Sequence, residues 1–87
     1  MKEFKGTPGE WKYTVRNVNE MMTTFHGVTI GDTYIEAATR NEREDARLIA
    51  AAPDLLEALQ LFLDAQILPE HHQGVARAAI SKALGEE

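Results

Sequence analysis

Residues 46–66 read ARLIAAAPDLLEALQLFLDAQ and form the longest apolar-periodic run in the chain. Ala46, Ile49 and Ala50 fall on one helical stripe, with Leu48 flanking it. Leu55, Leu56, Leu59, Phe62 and Leu63 make a wide stripe at the same spacing and predict a helix packed on a core. Pro53 interrupts the run. It has no N–H for the carbonyl four residues back, and its ring crowds that carbonyl. Two helices are therefore expected, over about residues 41–51 and then from Pro53, because proline is welcome at a first helical position. A single helix kinked at Pro53 is the alternative.

Before this run the pattern has period two. Trp11, Tyr13 and Val15 alternate with Lys12, Thr14 and Arg16, which predicts a half-buried strand. Residues 17–22 are polar and then Met-rich, as in a loop. Residues 23–30 form a second expected strand, with Phe25 on one face and His26, Val28 and Ile30 on the other. Gly31-Asp32 then suits a two-residue type II′ hairpin leading into a third strand over residues 33–38. That register sets Ile30 opposite Thr33, Val28 opposite Ile35 and His26 opposite Ala37.

After residue 38 the composition turns charged and Ala-rich. Asn41 with Glu44 fits a capping box, and Glu42, Glu44 and Asp45 suit the first turn of a helix. Pro69 ends or restarts the helical part, Gly74 marks a further break, and residues 75–84 suggest a third, Ala-rich helix closed by Gly85. The fold class is α+β: a three-stranded antiparallel meander followed by two to three helices packed on one face. One domain is expected over residues 1–87, with an arm at 1–10, the meander at 11–38 and a helical part at 41–85.

The totals limit the function classes. The 87 residues include no Cys, which removes disulfides and thiolate metal sites as staples for a small core. A homo-oligomer, most simply a dimer, is the remaining remedy. The net charge of −5 argues against nucleic-acid and anionic-membrane partners, which call for a basic surface. No apolar run has the length of a signal peptide or a membrane span, so the expected location is cytoplasmic.

Motifs with chemical potential each meet a plainer reading. His71-His72 would need further ligands to hold a metal, and a polar interhelical turn explains the pair better. His26 specifies no acid, base or nucleophile partner by spacing and reads as a sheet histidine making an ordinary hydrogen bond. No catalytic residue, metal site or cofactor is expected. Arg40, Arg43 and Arg47 share a helix face, where interspersed acids make a solvated, salt-bridged surface the simpler account. Together with Tyr13, Arg16 and Tyr34 they form the candidate set for a ligand. Leu61 lies off the main stripe near Leu68, and these two are the candidate contacts for a partner or a second copy.

Two pieces carry a resemblance. Residues 7–11, TPGEW, resemble the "TPGPW" opening of a widespread group of small phage and prophage proteins of unknown function. Residues 45–59, DARLIAAAPDLLEAL, resemble the "NARLIAAAPDLLEAL" signature of the same group. Glu10 replaces the second proline of the opening, and Asp45 replaces asparagine in the signature. The resemblance implies a phage or prophage origin and expression in a bacterial host, with no activity attached. It also implies that residues 12–40 are where members differ. The expected function is that of a non-enzymatic accessory protein binding a host or phage protein. The alternative is an oligomer that binds a nucleotide signal in counter-defence.

Overall fold

The computed structural model describes residues 4–18 and 23–85. Three strands, β1 (Trp11–Val18), β2 (Thr23–Ile30) and β3 (Thr33–Glu36), precede two helices, α1 (Glu42–Asp64) and α2 (Glu70–Ala83). The sheet is an antiparallel meander of order β1-β2-β3, so the α+β class expected from the sequence is the one observed. By internal contacts the chain divides into two compact units, Thr7–Pro53 and Met1–Gly6 with Asp54–Glu87.

In the first unit the hairpin register follows from the turn. Gly31 has φ +62° and Asp32 does not have positive φ, which is the type II′ pattern. Val28 pairs with Ile35 and Ile30 with Thr33, as expected. β3 ends two residues early, at Glu36, although Ala37 still donates its N–H to the carbonyl of His26 at 2.9 Å. β1 continues through Asn17 and Val18, which the sequence reading placed in a loop; the rest of that loop lies outside the described residues. The pairing Trp11↔Ile30, Tyr13↔Val28 and Val15↔His26 gathers the apolar residues of β1 and β2 on one face.

The first half of α1, up to Pro53, meets that face with small residues. Val28, Ala37 and Ala46 form the buried cluster, and Trp11, Tyr13, Ile30 and Ala50 pack half-buried against it. Ala46 and Ala50 are the α1 residues that pack in this cluster. Burying Val28 alone stabilises the fold by about 1.5–3 kcal/mol. Asn41 accepts the N–H of Asp45 through its backbone carbonyl, as an N-cap residue does. The side-chain bond at this start runs from the Thr39 hydroxyl to the Asp45 carboxylate.

The expected break at Pro53 is corrected: α1 is one helix with Pro53 inside it. Three alanines precede the proline, and their high helix propensity carries the backbone through the lost bond. The boundary between the two compact units falls directly after this residue. Proline in a helix interior costs about 3 kcal/mol relative to alanine. Pro53→Ala should therefore raise stability by about 1–2 kcal/mol, part of the gain being spent on repacking around the half-buried site. Thermal unfolding followed by circular dichroism checks this; an unchanged or lower midpoint would contradict it.

In the second unit two further expectations change. Gly74 lies inside α2 and not at a break, because Pro69 already supplies the N-cap. His71 and His72 consequently sit in the first turn of α2, exposed, with rings 5.8 Å apart and tilted by 56°. Gly85, with φ +75°, closes α2 by donating to the Lys82 carbonyl. The stripe expected to fill the core is split. Leu56, Leu59 and Leu63 are half-buried, whereas Leu55 and Phe62 are 54% and 49% exposed. Leu56 and Leu63 stand one residue after Leu55 and Phe62, hence about 100° further round the helix. Ile49, in the first unit, is likewise exposed, so the inward line there runs through Ala46 and Ala50.

Candidate functional site

The period-two alternation that builds the core sends the other side chains to the opposite sheet face. Thr14, Arg16 and the residues paired with them through Gly27, Phe25, Thr29, Tyr34 and Glu36 lie there. The Thr14 and Thr29 hydroxyls bond across the strands at 2.7 Å. Beside them is an open hollow of about 250 Å³, lined by Arg16, Asn17, Val18, Phe25, Tyr34 and Glu36.

Tyr34 organises this hollow. Its ring lies against Gly27, where a side chain would collide with it. The Arg16 guanidinium sits over the ring, 4.8 Å from its centroid, a favourable cation–π distance. The Tyr34 hydroxyl is buried and has no hydrogen-bond partner among the described residues. Burial, reinforced by the Glu36 carboxylate, pushes its pKa above the ordinary phenol value despite the opposing pull of Arg16. The group is therefore a protonated donor at neutral pH. Asn17 accepts a bond from the Thr24 hydroxyl at 2.9 Å through its amide oxygen, which leaves the amide N–H groups to other acceptors.

The six ligand candidates do not form one site. Arg16 and Tyr34 meet on this outer face. Tyr13 and Arg47 meet on the covered face, with the guanidinium 5.1 Å from the ring centroid. Tyr13 also bonds to Nδ1 of buried His26 at 2.6 Å, and the two rings stack at 5.9 Å. His26 thus has the ordinary hydrogen bond expected of a sheet histidine. Arg40 and Arg43 are exposed, in the turn before α1 and in its first turn. Of the partner candidates, Leu61 is 62% exposed, while Leu68 is half-buried and accepts the Gln73 side-chain amide through its carbonyl at 2.8 Å.

Sequence reasoning did not include Asn17, Val18, Phe25 and Glu36 among the site residues. Gly27 was the available signal. A glycine inside a strand marks close approach by another group, here the Tyr34 ring. Among the described residues no group of His, Asp and Glu is arranged to hold a metal, and no helix is long and apolar enough to cross a membrane.

Fold and site together define a small α+β protein whose sheet is covered on one face and hollowed on the other. The chain belongs to the family of Salmonella phage P22 protein Y8K6, whose model matches residues 1–87. It is therefore a member of a phage protein family, in keeping with the phage character that the two sequence pieces implied. No curated protein and no solved structure matches the chain.

Proposed function

We propose that this chain is a non-enzymatic phage accessory protein that acts by binding another protein. The observation supporting this is the apolar surface of its helical unit. Leu55, Leu61, Phe62, Ile67 and Val75 are each between 49% and 64% exposed. Five large apolar side chains exposed within some twenty residues are more than the scattered single leucines of an ordinary surface, and such concentrations mark interaction sites. The partner presents apolar side chains of its own to this surface.

The test is affinity capture from infected and uninfected host cells with the parent chain and the Leu61→Glu/Ile67→Glu variant. Both positions are exposed, so the charges should spare the fold. The parent should retain a stoichiometric protein partner, and the variant should lose it by tenfold or more, about 1.4 kcal/mol. Absence of any stoichiometric partner, or equal capture by both chains, would count against protein binding.

A second reading, a small-molecule binder, draws on a separate observation. The hollow is lined by a cation, an anion and aromatic rings, and one of its lining residues, Tyr34, carries an unpartnered buried hydroxyl.

A further inference from the structure

Buried polar groups in native proteins nearly always have a partner, and leaving one unmade costs about 1–3 kcal/mol. The Tyr34 hydroxyl is such a group, and it belongs to a residue lining a hollow of about 250 Å³. At roughly 30 Å³ for each water-sized group, that space suits a molecule of about eight or nine non-hydrogen atoms. The lining then limits its chemistry. Donors predominate: the Arg16 guanidinium, the Asn17 amide N–H groups and the Tyr34 hydroxyl. Glu36 is the charged acceptor, and Phe25 and Val18 supply the apolar wall.

Arg16 and Glu36 are not joined in an ion pair among the described residues. They stand on β1 and β3, the two outer strands, with β2 between them. Arg16 pairs with Phe25 and Glu36 with Gly27, so both stand on the outer face, two residues apart along β2. A guanidinium and a carboxylate left apart on one face are complementary to the carboxylate and ammonium groups of a zwitterion.

We propose that this outer-face hollow binds a free α-amino acid with an aliphatic side chain of leucine size. Arg16 takes the carboxylate, with Asn17 and the Tyr34 hydroxyl donating to the same oxygens. Glu36 takes the ammonium group, and the side chain lies against Phe25 and Val18. The buried hydroxyl gains its acceptor when the guanidinium turns from the phenol toward the ligand. The assignment rests on the small-molecule reading of the hollow and is independent of the helical surface. A peptide terminus, which carries one of the two charges, satisfies half of the site.

The test is isothermal titration calorimetry of the full chain with L-leucine, leucinamide, N-acetylleucine and adenosine. Leucine should bind, and leucinamide and N-acetylleucine should each bind about tenfold more weakly. Arg16→Gln should abolish the preference for leucine over leucinamide. Glu36→Gln should abolish the preference for leucine over N-acetylleucine. Both residues are exposed, and unchanged circular dichroism would confirm folded variants. Tyr34→Phe should lower leucine affinity severalfold. Equal binding of leucine and its two blocked forms would overturn the zwitterion assignment. Binding of adenosine without leucine would overturn the ligand class and leave the small-molecule reading standing. No binding of any of the four by the folded chain would remove both.

Discussion

Gly27→Ala should destabilise the chain by about 2–3 kcal/mol, although alanine is normally the better strand residue. A Cβ at this position would overlap the Ile35 carbonyl oxygen and stand 2.8 Å and 2.9 Å from Cζ and Cε1 of Tyr34. One of those obstacles is backbone of the neighbouring strand, which cannot turn aside as a side chain can. The ordinary benefit of Gly→Ala, up to about 1 kcal/mol from unfolded-state entropy, is therefore outweighed. Urea unfolding should show a lower midpoint with an unchanged slope. Adding Tyr34→Ala should recover part of the loss, since it clears the ring and leaves the carbonyl in place. A single variant as stable as the parent would mean that neither the Ile35 carbonyl nor the Tyr34 ring crowds this position.

Ala46→Asp should cost about 4 kcal/mol or more and unfold the Thr7–Pro53 unit at neutral pH. Ala46 is fully buried and packs with Val28 and Ala37. A carboxylate there would lose its hydration and find an apolar cluster in exchange. Ala46→Gly, which removes a methyl group and some helix propensity, should cost only about 1 kcal/mol by the propensity term. Trp11 is the single tryptophan and packs on the same cluster, so its fluorescence reports the loss directly. The pH dependence has a definite sign. Burial raises the aspartate pKa in the folded state above its unfolded value near 4. The penalty is smallest in acid and grows as pH rises through that value to the folded-state pKa. A variant that kept native Trp11 fluorescence at pH 7 would contradict the burial of this position.

The sheet was legible because its determinants are local. Gly31-Asp32 sets the turn, the turn sets the register, and alternation then assigns each residue to a face. The helices were less so. Pro53 and Gly74 are strong local breakers, yet each lies inside a helix, Pro53 directly after three alanines. Alternation also states that two faces exist without stating which one a helix covers. Phe25 could therefore be set on the face opposite Val28 without that face being recognised as the hollowed one. Arg16 and Tyr34 were recognisable as ligand chemistry, but their separation from Tyr13 and Arg47 is a matter of strand parity combined with tertiary cover.

The meander also bears on the order of events during synthesis. β1 pairs with β2 and β2 with β3, so these pairings join segments that are neighbours along the chain. Contacts of short sequence separation form quickly, because little loop entropy is lost in closing them. Ala46, the residue that seals the cluster, emerges from the ribosome before any part of the Asp54–Glu87 segment. The sheet can thus close over its own hydrophobic cluster while the leucine-rich half of α1 is still leaving the ribosome. The residues most prone to indiscriminate association then appear on a chain whose N-terminal part has already folded.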